Sequence, residues 1–177
     1  GAAADAYDAE AFRAGLPEIA KGLLFLNPPH FLLAAAPLSA LPYGAAKALL
    51  LAATLLSLIA CGLSAGGPPR QRALFAGAML LSPAAFASLL VMQIGPLVAA
   101  GLAAALVSAR PRPILAGFLL ALLTMKPQFG LLAPIFLIVR GDWRALGWAA
   151  LFTAALGAAS AALFGAESWS AFFTQWL

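Results

Sequence analysis

Long apolar runs, separated by isolated charged residues, organise this chain. No Asp, Glu, Lys or Arg occurs in 48–69, 73–109 or 145–166. A membrane helix needs about 20 mostly apolar residues, so the first and last of these runs hold one span each. The middle run has 37 residues, too many for a single crossing. It divides at Gln93-Ile94-Gly95-Pro96, where Gly loosens the backbone and Pro lacks the N–H that a continuing helix needs. The pattern predicts spans at 44–65, 72–91, 96–109 and 145–164. Between the last two lie the arms 113–125 and 127–139, joined at Lys126-Pro127.

The arms fit one kinked span or a hairpin, and basic residues decide between them. Cytoplasmic loops carry the excess of Lys and Arg. A hairpin places Arg70, Arg72, Arg110, Arg112, Arg140 and Arg144 on one side, whereas a single span sends the last pair across. The hairpin is the expected arrangement. Each 13-residue arm reaches about 20 Å, short of a hydrocarbon core of roughly 30 Å. Short helices are tolerated where their ends open into protein or a wet recess. Gln93 and Lys126 are expected in such a recess on the outer side.

The remaining segments follow from the same frame. Residues 1–30 read as an extracytoplasmic loop, with a loosely amphipathic interfacial helix over 7–21 (Tyr7, Phe12, Leu16, Ile19) interrupted by Pro17. Residues 31–164 carry the membrane helices, with the hairpin at 113–139. Residues 165–177 return to the outer interface with Trp169, Phe172, Phe173 and Trp176 as belt residues. The fold class is all-α, a polytopic transmembrane helical bundle. The start at Gly1 and the stop at Trp176-Leu177, within an aromatic stretch, suit an internal, partial piece of a longer protein.

Composition agrees and narrows the function classes. Of 177 residues, 64% are hydrophobic and 9% charged, and the mean hydropathy is +0.99. Soluble domains carry about 25% charged residues, so this chain has too little polar surface for a water-soluble globule. Disorder needs the opposite balance. A net charge of +4 would suit nucleic acid, but the Arg residues stand in ones and twos between apolar runs, as helix-orienting charges do. The lone Cys61 excludes an intrachain disulfide framework and a Cys-rich metal site. No phosphate loop, dinucleotide fingerprint or paired Asp is present, which disfavours a soluble nucleotide donor. Neither a metal nor a cofactor is expected.

Few polar residues remain for chemistry. Lys126 is the only Lys after Lys47. A Lys at mid-depth costs roughly 2.5–3.5 kcal/mol on insertion scales, and a phosphate suits its compact charge. The bland alternative is a snorkelling Lys that stops a helix at the interface. Gln93 offers an amide to a sugar hydroxyl or a phosphate oxygen, or is solvated as a loop residue. His30, the only histidine, follows Asn27-Pro28-Pro29 and is expected with Asn27 at a helix start lining the recess. It suits acid–base work or a phosphate contact, or serves as a cap. Asp5, Asp8 and Glu10 qualify by type as general bases, though a solvated surface helix explains them as well. The chemistry open to this set is sugar transfer or, in a different class, transport or lipid flipping through broken helices. A third reading is a scaffold whose polar residues only set topology.

The order of motifs resembles glycosyltransferase family 87. Asn27-Pro28-Pro29-His30-Phe31-Leu32-Leu33 and Ala36-Pro37-Leu38-Ser39-Ala40-Leu41-Pro42 lead into Leu81-Ser82-Pro83 and Met92-Gln93-Ile94-Gly95. Arg112-Pro113-Ile114-Leu115-Ala116-Gly117, Met125-Lys126-Pro127-Gln128, Asp142-Trp143-Arg144-Ala145 and Leu163-Phe164-Gly165-Ala166-Glu167-Ser168-Trp169 follow in order. Met92 stands where the family usually has Gly, and Asn27 where it usually has an aromatic residue. The resemblance implies a GT-C type enzyme of the bacterial inner membrane. Such an enzyme moves a hexose, often mannose, from a polyprenyl-phosphate sugar to a lipid or glycan acceptor on the extracytoplasmic face. It implies a carboxylate base ahead of Gly1, Ala6-Tyr7-Asp8 matching a later motif, so that this piece alone is expected to be inactive. Lys126 and Gln93 would meet the donor phosphate.

Overall fold

The computed structural model describes residues 3–14, 25–90, 93–126, 128 and 132–176. Leu16, Pro17, Glu18, Ile19, Lys21, Met92 and Pro127, on which sequence expectations rested, lie outside them. Among the described residues the chain is helical throughout. A 3-10 turn at Asp5–Tyr7 precedes α1 (Ala9–Ala14), and another at Pro29–Phe31 runs into α2 (Leu32–Ser39). Then come α3 (Tyr43–Leu63), α4 (Pro69–Leu80), α5 (Pro83–Leu90), α6 (Gly95–Ser108) and α7 (Pro113–Leu123). The last are α8 (Ala133–Arg140), α9 (Trp143–Phe164) and α10 (Ala166–Trp176). Prolines open α4, α5, α6, α7 and α8. At the first turn the missing N–H would have no intrahelical partner in any case.

Two of these helices, α3 and α9, are long and apolar enough to cross a membrane. The span expected at 72–91 is instead two helices, α4 and α5, bent by 47°. The break falls at Ser82-Pro83. The Ser82 hydroxyl accepts from the backbone N–H of Ala85 at 3.1 Å and donates to the carbonyl of Met79 at 2.9 Å, closing one helix and capping the next. Charge-free length conceals such a break because it counts charges and ignores backbone donors. The arm expected at 127–139 is described as helix only over α8. The segment 165–177, expected as a belt, forms α10, with Ser168 and Phe172 buried.

Small residues set the packing. A Cβ on Gly117 of α7 would lie 2.4 Å from the Trp148 Cβ and 2.7 Å from the Ala149 backbone N of α9. On Gly62 of α3 it would lie 2.3 Å from the Ala76 Cα of α4. Membrane helices associate through such close approaches, since lipid tails are as apolar as the helices themselves. The core is made by α6 to α9: Val98, Ala105, Ala116, Leu120, Leu137 and Ala145 are all buried.

At the base of α7 and α8 the chain is pinned. Gly141 adopts φ +71°, and the Asp142 N–H reaches the Leu137 carbonyl at 2.9 Å while that of Gly141 reaches Ile138 at 3.0 Å. This doubly bonded ending lets α8 stop sharply. It delivers Asp142, buried, between two guanidinium groups: Arg110 Nε lies 2.8 Å from Oδ1 and Arg140 Nε 3.0 Å from Oδ2. The start of α7 and the end of α8 therefore meet, and the chain has reversed between them.

Candidate functional site

The opposite end of the bundle gathers the polar residues. After α7 the N–H groups of Thr124, Met125 and Lys126 bond to Ala121, Leu122 and Leu123, three residues back, tightening the last turn. This places Lys126 at the negative end of the helix dipole, where a cation is favoured. Gln93 lies between α5 and α6, its N–H bonded to the Ser88 carbonyl at 2.8 Å. The two side chains meet: Lys126 Nζ donates to Gln93 Oε1 at 3.0 Å. Gln93 is exposed and Lys126 half-buried. Among the described residues no carboxylate pairs with Lys126. Its ammonium has three donors, and among the described residues Gln93 takes one of them.

His30 is placed differently from its expected position on the recess lining. It is 4% exposed and stands in the wall, stacked on Trp169 with ring centroids 5.7 Å apart and planes 14° from parallel. Its Nε2 lies 3.0 Å from Thr124 Oγ1, two residues before Lys126. The Thr124 hydroxyl proton goes to the Ala121 carbonyl, so the imidazole must donate through Nε2. That assigns the tautomer and leaves Nδ1 as a buried lone pair with no partner among the described residues. Burial holds the imidazole pKa below its ordinary value, with the Thr124 contact opposing. Trp169 in turn donates from Nε1 to Ser160 Oγ at 3.0 Å.

Asn27 contributes its backbone carbonyl, which accepts from the Tyr7 hydroxyl at 2.8 Å. Tyr7 packs edge-on against Phe25 and Phe172, and burial pushes its phenol pKa up. Asp8 caps α1, its Oδ1 accepting from Glu10 N at 2.8 Å and Ala11 N at 3.0 Å. Those backbone donors, Ala11 first and then Glu10, lower its pKa.

Thus Lys126 and Gln93 are in direct contact, His30 supports the turn that carries Lys126, and Asn27 anchors the amino-terminal segment. Sequence reading did not single out Thr124 or Ser160; Asp142 and Trp169 entered within motifs of the family resemblance, Trp169 also as an interface residue, without these partners. A lone Thr and Ser inside apolar runs were the available signals. Between α7, α8 and α9 a cavity of about 380 Å³ reaches Thr124 from below, lined by Leu120, Pro134, Leu137, Ala150 and Thr153 among others.

Among the described residues this is an all-helical apolar bundle, as in a membrane protein, with a cluster of polar side chains at one end. The model of glycosyltransferase family 87 matches residues 25–177, and the chain belongs to that family. The family indicates a membrane glycosyltransferase, which favours the enzyme over the transporter. No curated protein and no solved structure matches the chain.

Proposed function

We propose that this chain forms the donor side of a GT-C type hexosyltransferase. It takes its sugar from a polyprenyl-phosphate carrier and passes it to a lipid or glycan acceptor on the extracytoplasmic face of a bacterial inner membrane. In that reaction an acceptor hydroxyl attacks the anomeric carbon, the bond from that carbon to the phosphate oxygen breaks, and the lipid phosphate leaves with the electron pair. The acceptor's proton passes to a base. The observation that carries the reading is the Lys126–Gln93 pair at 3.0 Å in a chain of this family. An ammonium held by a neutral carbonyl can exchange that carbonyl for a phosphate oxygen. It then stabilises the charge that grows on the leaving group, the contribution that commonly weighs most in such catalysis. Gln93 keeps the ammonium oriented and offers its own NH2 to the same phosphate.

Full-length protein given a radiolabelled polyprenyl-phosphate hexose should transfer label to acceptor. Lys126→Ala should lower the rate on the order of 100-fold, and Lys126→Arg should retain part of it. Undiminished transfer by Lys126→Ala removes this residue from the mechanism. Label that crosses vesicles without covalent attachment supports transport instead.

A further inference from the structure

The end of the bundle opposite Lys126 carries an unbalanced charge that sugar transfer does not use. Arg110, Arg112, Arg140 and Arg144 gather around the joints of α6 to α9, and among the described residues Asp142 is the one carboxylate paired with them. That carboxylate is spent on Arg110 and Arg140. Arg110 Nη2 donates further to the Arg140 carbonyl at 3.0 Å, and Arg140 Nη1 to the Leu106 carbonyl at 3.4 Å. Arg112 and Arg144 are exposed, and among the described residues neither side chain has a hydrogen-bonding partner. Their positions sharpen the imbalance. Arg112 immediately precedes α7 and Arg144 lies in the first turn of α9. The first turn of a helix favours anions and disfavours cations. Large apolar side chains surround the cluster and are open to the outside: Ile114, Phe136, Val139 and Trp143.

We propose that this surface holds the phosphate headgroup of an anionic membrane lipid. Arg112 and Arg144 would contact the phosphate, and the Asp142 knot would keep Arg110 and Arg140 fixed beside it. Guanidinium forks match phosphate oxygens two at a time. The exposed apolar side chains next to the cluster fit acyl chains, which a free phosphate does not have. The exposed apolar side chains beside the charges favour a lipid over a soluble anion, independently of the glycosyl donor.

Native mass spectrometry of the full-length protein, titrated with phosphatidylglycerol or phosphatidylcholine, tests the proposal. Phosphatidylglycerol should be retained at lower lipid concentration. Arg112→Gln and Arg144→Gln should each weaken its retention roughly fivefold, and the double variant roughly 25-fold. Arg112→Lys with Arg144→Lys, which keeps the charge, should retain most of it. Arg70→Gln, at an exposed Arg in the first turn of α4, should leave it unchanged. Equal retention of the two lipids by the unaltered protein overturns the proposal. So does an equal loss in Arg70→Gln, which would mean diffuse attraction, or displacement by millimolar inorganic phosphate, which would mean a soluble ligand. Size-exclusion profiles confirm that each variant is folded, and the two single variants carry the test if the double one aggregates.

Discussion

His30 binds a proton less readily in the fold than in the unfolded chain, because its ring is buried and Nδ1 faces no acceptor. A depressed pKa has a definite sign in stability. The contribution is whole above the unfolded value of about 6.5 and is lost as pH falls through the folded one. Thermal stability should therefore drop as the pH is lowered from 7 to 5. His30→Gln should melt lower at pH 7 and show a shallower drop, read by a melting series in detergent. Asp8 does not interfere, since its backbone donors keep the carboxyl ionised throughout that interval. The sequence placed His30 correctly at a helix start but could not supply its partners. Thr124 lies 94 residues away along the chain, and local spacing carries no record of a contact that distant. Gln93 and Lys126 were easier to associate. Each interrupts an apolar run, and counting crossings puts both at the same end.

Helices α7 and α9 are held together by an absence of side chain at Gly117. Gly117→Ala should destabilise the protein by about 1–3 kcal/mol, the range for overpacking a fitted contact. Gly147, also within α9, has nothing within 4 Å of its would-be Cβ. Gly147→Ala should instead be neutral or stabilise by up to about 1 kcal/mol through helix propensity. Opposite signs in a denaturation series would confirm the distinction. Asp142→Asn should cost about 1–3 kcal/mol. That is less than a fully buried ion pair because Arg110 stands largely in solvent, its side chain 67% exposed. Elements bounded by charge, such as α3 and α9, were legible in the sequence nearly to the residue. The bend between α4 and α5 was not, because Ser82-Pro83 breaks a helix without adding any charge to mark the place.

Across the whole molecule, the two polar ends differ in kind. One gathers guanidinium groups about a single carboxylate; the other presents one ammonium and an amide. Positive-inside reasoning assigns them to opposite faces of the membrane. In a Cys61→Ser background, Gln93→Cys and Lys126→Cys should be labelled by an impermeant maleimide added outside, and Arg112→Cys only after the membrane is opened. Labelling of all three from one side would refute the topology. The two long helices α3 and α9 were readable from the apolar runs. The mutual packing of the helices was not, since Ala, Leu and Gly occur on every helix face and leave no stripe to follow.

The ion pairs at Asp142 fasten the two separate ends of the α7–α8 hairpin to each other like a clasp. At the other end, where the chain itself joins the two helices, Thr124 and Pro134 line a common cavity of about 380 Å³. Moving Thr124 to widen that cavity would leave the ion pairs intact but cost the hydrogen bond to His30, besides oily contacts that lipid tails replace almost in kind.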